Sequence, residues 1–220
     1  MIIYIIPVSN DFEKHLKLVK RSVTALEIDG KPARAVILSR NYETDISDLW
    51  DAITNPERIH RWFAPITGDL SLGGKYQIQG NAGGKITTCK PPTNFELTWE
   101  MGGGTSWVEV QLVSKEPNLT ELVLTHTAYV TDHWKTYGPG AVGVGWDLSL
   151  LGLALYIDDP TKPKVDENKF ATSSEGKSFM IASGKDWGHA AIALGEETEQ
   201  AINAAKQTIS FYTGEEVETI

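Results

Sequence analysis

The residues of this chain best suited to acid–base or metal chemistry are its histidines: His15, His60, His126, His133 and His189. No two of them have the spacing that places two metal ligands on one helix face, and Cys89 is the single cysteine, so we expect no zinc site. His126 differs because it has the strand parity of Leu122 and Leu124, which directs it towards the interior of a sheet. There it could serve as a general base or as a hydrogen-bond donor to a bound molecule. The alternative is a structural histidine near the mouth of the sheet, whose ring forms hydrogen bonds only with neighbouring residues.

Carboxylates are the second group of side chains that could take part in chemistry, and one of them lies in an apolar segment. Asp147 is the only formally charged residue in the apolar segment 138–157. A carboxylate among apolar side chains needs a hydrogen-bonding partner or a raised pKa. We therefore expect Asp147 to bind a backbone amide, an arginine or a lysine in a structural role. Nucleophilic serine chemistry has little support, because no G-x-S-x-G motif is present and Ser106 lies in a predicted hairpin.

The sequence from Gly138 to Gly143 reads G-x-G-x-x-G, and Asp158 follows Gly138 by 20 residues. This spacing is typical of a dinucleotide-binding turn when a buried strand precedes it. The preceding residues 132–137 read DHWKTY and are not a buried strand. We therefore interpret the glycines as the start of a helix and expect no cofactor.

That helix, predicted over Gly138–Ile157, is the element around which we expect the chain to be organised. At about 100° per residue it has two apolar faces. The first face holds Val142, Trp146, Leu150, Leu153 and Ile157. The second face holds Val144, Leu148, Leu151 and Leu155. A helix that is apolar on both sides is buried on both sides, so we expect C-terminal helices to cover the face that the sheet leaves open.

The remaining elements follow from periodicity and turn residues. Alternation between Gly68 and Thr127 predicts an antiparallel meander. Before the meander we predict a strand at Ile2–Ile6, a helix near Asn10–Arg21, and a hairpin of Val23–Ile28 with Ala33–Tyr42 that turns at Asp29-Gly30. A helix capped by Thr44 or Asp45 and a helix from Pro56 through Trp62 follow this hairpin. At the C-terminal end we predict two helices, of which the second starts near Glu196 and ends at Gly214.

Composition limits the classes of function. The 220 residues carry a formal net charge of −9, which disfavours nucleic-acid binding. No apolar run approaches the length of a membrane span, and the apolar start MIIYII lacks the features of a signal peptide. With one cysteine no intrachain disulfide can form. We expect a cytoplasmic protein.

The order of elements and several motifs resemble a known superfamily. The motifs are Leu49-Trp50-Asp51-Ala52-Ile53-Thr54-Asn55-Pro56-Glu57, Trp62-Phe63, Gly73-Gly74-Lys75-Tyr76, Cys89-Lys90-Pro91-Pro92, Phe95-Glu96-Leu97-Thr98-Trp99 and Leu124-Thr125-His126. They are similar to the START-like (SRPBCC) superfamily, and most to the bacterial branch related to the activator of Hsp90 ATPase. The resemblance implies an α+β helix-grip fold, in which an antiparallel sheet curls around a long helix over residues 33–157. Residues 1–32 would form an N-terminal extension, 158–169 a linker and 170–220 a helical extension packed on the domain.

The resemblance also implies an apolar cavity between the sheet and the long helix. Residues with inward parity supply its expected lining: Tyr76, Trp99, His126, Trp146 and Leu150. Our leading hypothesis is the binding of a small hydrophobic or aromatic ligand. A cyclase- or hydrolase-type enzyme using His126 and a co-chaperone-like interaction protein remain alternatives. A homodimer and a chaperone partner also stay open.

Overall fold

A computed structural model describes residues 12–220 of the chain, and the strand expected at Ile2–Ile6 lies outside them. The strands are β1 (Lys20–Ile28), β2 (Lys31–Tyr42), β3 (Ile66–Gly68), β4 (Lys75–Ile78), β5 (Gly83–Lys90), β6 (Asn94–Met101), β7 (Gly104–Glu116) and β8 (Leu119–Tyr129). The helices are α1 (Phe12–Lys17), α2 (Ile46–Thr54), α3 (Pro56–Ile59), α4 (Asp132–Tyr137), α5 (Gly140–Asp158), α6 (Glu167–Thr172), α7 (Ser174–Leu194) and α8 (Thr198–Thr213).

The eight strands form one sheet in the order β1-β2-β8-β7-β6-β5-β4-β3, with every neighbouring pair antiparallel. Register places one residue from each of five strands in a row across it: Val23, Val36, His126, Val108 and Leu97. Residues of one row share one face, because side chains alternate along each strand. Apolar residues of this face form the main core with α5, α2 and α7, which confirms the helix-grip arrangement.

The first described helix ends before the predicted Asn10–Arg21 does, and the first two residues of that prediction lie outside the described part of the chain. The helix ends at Lys17, and Lys20 already pairs with Ser39 of β2. The prediction was wrong there because the spacing of four between Val19 and Val23 suits one helix face and one strand face equally well. The hairpin prediction is confirmed, since Asp29 and Gly30 both have positive φ, 51° and 72°, as the tight hairpin turn requires.

The two short helices after β2 each begin directly after a capping residue. The Asp45 carboxylate accepts hydrogen bonds from the amides of Ser47 and Asp48, and Asn55 caps α3 in the same manner. Pro56 follows as the first residue of α3, where its missing N–H costs nothing. This helix ends at Ile59 rather than at the predicted Trp62.

The long helix α5 is buried along a stripe that lies between the two predicted faces. The stripe holds Gly140, Gly143, Val144, Asp147, Leu150, Leu151 and Ala154. Helix α7 lies on part of it, so close that a Cβ on Gly143 would stand 2.3 Å from Trp187 Cε2. Other apolar residues of α5, among them Trp146, Leu148 and Leu155, are only half-buried. The predicted burial of α5 on both faces is therefore incomplete, and one flank of the helix stays open.

Within residues 12–220, α5 is the helix whose length and mean hydropathy of 1.5 would allow it to cross a membrane. Its packing indicates another role, because 56% of the apolar window is buried inside the fold and Asp147 is held there by charged and polar partners. We interpret α5 as the core helix of the domain.

Candidate ligand-binding groove

A groove of about 890 Å³ runs along the open flank of α5. Its floor consists of small side chains of that helix, namely Ala141, Gly145, Ser149 and Gly152. These residues recur every three or four positions, so they share one helix face. None of these side chains extends far from the helix backbone.

Three parts of the chain supply the apolar walls beside this floor. Trp99 and Met101 come from the sheet, Trp62 and Phe63 follow α3, and the C-terminal helices contribute Phe170, Met180, Phe211 and Tyr212. The walls are therefore largely aromatic, which is typical of pockets for apolar ligands. Sequence analysis missed the contribution of the C-terminal helices, since their only signal was helical periodicity.

Three of the predicted lining residues meet at the inner edge of the groove. The ring centroids of Trp99 and Trp146 are 5.1 Å apart. The His126 ring lies 6.0 Å from Trp99 and 5.8 Å from Trp146. Strand parity brings Trp99 and His126 to the same face of the sheet, and α5 brings Trp146 down onto them. This three-ring cluster, made of Trp99, His126 and Trp146, is the part of the predicted site that the structure assembles.

The other two predicted residues lie outside the groove wall. Tyr76 belongs to a separate apolar cluster with Ile78 and Ile86, and its hydroxyl donates to the Thr98 carbonyl at 2.7 Å. Leu150 faces the packed core, where its carbonyl accepts a hydrogen bond from the Tyr42 hydroxyl. The space between the sheet and α5 is filled at this level, so the open volume is displaced to the flank of the helix.

Hydrogen bonds fix the tautomer of His126. The indole Nε1–H of Trp146 donates to His126 Nδ1 at 2.9 Å. An indole N–H can only donate, so Nδ1 must accept and the proton of the neutral ring resides on Nε2. His126 Nε2 therefore donates to Ser106 Oγ, which lies 2.8 Å away. The Ser106 hydroxyl in turn donates to the Trp99 carbonyl at 3.2 Å.

Burial keeps this imidazole neutral. His126 is 3% exposed, and desolvation lowers its pKa to about 4. Both ring nitrogens are occupied, and Nε2 already carries a proton, so it cannot remove one from Ser106. The pair therefore lacks the arrangement of an activated serine nucleophile, in which the histidine accepts from the hydroxyl.

A second polar cluster lies on the opposite side of α5, away from the groove. The Asp147 carboxylate accepts from Arg21 Nη2 at 2.8 Å, from Ser183 Oγ at 2.6 Å and from Trp187 Nε1 at 2.9 Å. The Arg21 guanidinium also donates to Asp186 at 3.1 Å. Burial raises the pKa of Asp147, while the Arg21 charge and these three donors act in the opposite direction. The expected arginine partner is confirmed, and these contacts tie β1 and α7 to α5.

Two other motifs have structural explanations. Gly138 follows α4 rather than a strand and has a φ of 60°, and a Cβ on Gly140 would stand 2.9 Å from Thr208 Cγ2. The G-x-G-x-x-G run is thus required by a helix junction and by close packing. In the part of the chain that the structure describes, no three histidine, cysteine or acidic side chains come together as metal ligands.

The family model described as activator of Hsp90 ATPase homolog 1-like protein matches residues 43–158, more than half of the chain. The chain belongs to this family. The matched segment runs from the end of β2 to the end of α5 and includes the three-ring cluster. The segments before residue 43, which include β1 and β2, and those after α5 lie outside it.

Solved structures extend the similarity beyond that segment. The chain is 31% identical to CalU16 from Micromonospora echinospora in its crystal structure, with a TM-score of 0.64, covering 78% of this chain and 97% of that one. The solution structure of CalU16 gives 30% identity, a TM-score of 0.67 and coverage of 80% and 96%. A protein of unknown function from Enterococcus faecalis shares the fold at 14% identity, with a TM-score of 0.56 and coverage of 81% and 95%. None of the curated proteins matches the chain.

Proposed function

We propose that this member of the activator of Hsp90 ATPase homolog 1-like family binds a small hydrophobic or aromatic molecule in the groove along α5. The observation that carries the proposal is an open volume of about 890 Å³ with an aromatic wall and a floor of small residues. Ligand pockets of drug-sized molecules have volumes of about 300–1,000 Å³ and mostly apolar linings.

Three uncharged polar groups of the groove favour binding over catalysis. Ser149 Oγ donates to the Gly145 carbonyl at 2.8 Å, and Trp62 Nε1 donates to the Ala52 carbonyl at 3.0 Å. His126 is neutral and occupied at both nitrogens. Groups that are already satisfied present an apolar surface to a ligand and offer no proton or nucleophile to it. The hypothesis of a cyclase or hydrolase built on His126 is weakened accordingly.

Native mass spectrometry of the purified protein, compared with a denatured sample, tests the proposal. We expect a copurified small molecule or, after its removal, saturable binding of the neutral fluorophore N-phenylnaphthylamine. The variant Ser149→Leu places a larger side chain on the groove floor and should abolish both. Its helix should be unharmed, since leucine is a better helix former than serine. Unchanged binding by Ser149→Leu would overturn the assignment to this groove.

The family description also supports testing a chaperone partner. The name of the family refers to activation of the Hsp90 ATPase, and the matched segment includes the whole of α2, α5 and the sheet from β3 to β8. The test is the ATPase rate of Hsp90 from the same organism with and without this protein. A rate that is unchanged at saturating protein would remove this second candidate.

A further inference from the structure

Resting on the proposed function, we infer that the ligand of the groove is an elongated amphiphile that carries one anionic group. The groove has two chemically different ends. The end beside Ala141 is walled by uncharged aromatic groups, including Tyr137 and Phe211. The end beside Tyr156 holds Arg61 and the charged residues that follow α5. An apolar body with one charged terminus matches this division.

The charge balance at the second end differs from that of the chain. The wall there has the cations Arg61, Lys162 and Lys164 and the carboxylates Asp158, Asp159 and Glu167. Across the chain, by contrast, 20 lysines and arginines face 29 aspartates and glutamates. A locally balanced end in an acidic protein repels an anion less than the rest of the protein does.

Pairing within this group singles out one cation. Lys162 lies 3.6 Å from Asp159, and Lys164 lies 2.5 Å from Glu167, so both have acidic neighbours. The partners that the structure gives the Arg61 guanidinium are uncharged. They are the Pro160 carbonyl and the Tyr156 ring, whose centroid lies 5.5 Å away.

The neighbouring Arg58 also contacts the Tyr156 ring, but its other partners differ from those of Arg61. Its guanidinium lies 5.3 Å from the Tyr156 centroid, but it forms ion pairs with Asp48 at 2.8 Å and Asp51 at 3.0 Å. Arg58 therefore has its counter-charges within the protein. Arg61, on the groove side, is the guanidinium left for a ligand's carboxylate, sulfonate or phosphate, which it can bind through two N–H groups at once.

The length of the groove sets the length of the ligand. Ala141 and Tyr156 are fifteen residues apart on α5, which corresponds to about 22 Å along the helix axis. A molecule anchored at Arg61 reaches Ser149 and Gly152 with its apolar body and needs further length to reach Phe211. Short anions without such a body should bind only weakly.

Two fluorophores with the same aromatic skeleton test the inference. Anilinonaphthalene sulfonate carries a sulfonate, whereas N-phenylnaphthylamine is neutral. We expect Arg61→Gln to weaken binding of the sulfonate about two- to fivefold at low salt, as for a solvent-exposed ion pair, and to leave the neutral probe unchanged. Arg61→Lys should restore most of the difference. Lys85→Gln, which removes an exposed charge outside the groove, should change neither affinity.

The outcomes separate this inference from the proposed function. If Ser149→Leu abolishes binding of both probes but Arg61→Gln leaves the ratio of their Kd values unchanged, the groove binds ligands and the anionic preference is wrong. If Ser149→Leu leaves both Kd values unchanged, the groove is not the site and both proposals fail. Circular dichroism of each variant checks that the fold is retained, because partly unfolded protein also binds these probes.

Discussion

The indole nitrogen of Trp146 lies 2.9 Å from Nδ1 of His126, so a side chain of the central helix fixes the proton position of a side chain of the sheet. The same contact closes the inner edge of the groove, because the two rings and Trp99 pack together there. A histidine that sequence parity offers as a general base is thereby a neutral structural element.

Stability should depend on pH through His126. Its pKa is about 4 in the folded protein and 6.5 in an unfolded chain, so the unfolded state binds more protons between these values. The contribution of neutral His126 to the free energy of unfolding is complete above pH 6.5 and is lost as the pH falls towards 4. From pH 7 to pH 5 we expect the free energy of unfolding to drop by about 2 kcal/mol from this group.

Urea unfolding at several pH values measures this effect, and His126→Gln is the matched variant because its amide does not titrate. The variant should lack the part of the acid sensitivity that His126 causes. An identical pH slope in both proteins would show that other groups are responsible. Trp146→Phe should raise the pKa of His126, since it removes a donor that can only interact with the neutral ring, and NMR titration of the ring would detect the rise.

Breaking the buried ion pair should be costly. Asp147→Asn leaves the Arg21 guanidinium, whose side chain is 7% exposed, without its main counter-charge. We expect a loss of about 3–5 kcal/mol in the free energy of unfolding. Asp186→Asn is the control, because Asp186 pairs with the same guanidinium but is 46% exposed, and it should cost about 1 kcal/mol or less. Equal losses in the two variants would contradict the assigned roles.

Two glycines on α5 should respond oppositely to alanine. In Gly143→Ala the new Cβ would stand 2.3 Å from Trp187 Cε2, so we expect a loss of about 1–3 kcal/mol from overpacking. In Gly145→Ala it would meet only the Tyr212 hydroxyl at 3.3 Å, and alanine favours the helix by about 1 kcal/mol. Thermal unfolding should therefore show a lower Tm for the first and an unchanged or higher Tm for the second. A reversed order would mean that α7 does not pack at Gly143.

Deletion of residues 170–220 should cause aggregation. It removes Ser183 and Trp187 from the Asp147 carboxylate and uncovers Val144 and Leu151 on α5. Size-exclusion chromatography should show soluble aggregates or little recovery compared with the full chain. A soluble, monomeric truncation with native circular dichroism would show that the C-terminal helices are dispensable for the fold.

Local patterns were sufficient to predict most elements and part of the groove. Period-two alternation placed Trp99 and His126 on the inner face of the sheet, and the Asp29-Gly30 pair marked the first hairpin. These features depend on neighbouring residues only. The same alternation pointed Tyr76 inwards, but parity does not show that the curling sheet gives its far end a separate apolar cluster.

Long-range partners could not be predicted in this way. The sequence indicated that Asp147 needs a partner, yet Arg21 lies 126 residues away and had been assigned to a helix rather than to β1. The open flank of α5 was also missed, since Leu148 and Leu155 were counted as one buried face. Which side of an apolar helix stays open depends on where α7 and α8 dock, and their amphipathic patterns do not specify a docking site.

The contacts of Arg21 have a consequence for the order in which the protein is built. The guanidinium belongs to the first strand of the sheet, but its partners Asp147 and Asp186 follow 126 and 165 residues later. At about 5–20 residues per second, a ribosome needs roughly six to thirty seconds to add that much chain. During this interval the Arg21 guanidinium of the nascent chain lacks the two carboxylates that it contacts in the folded protein.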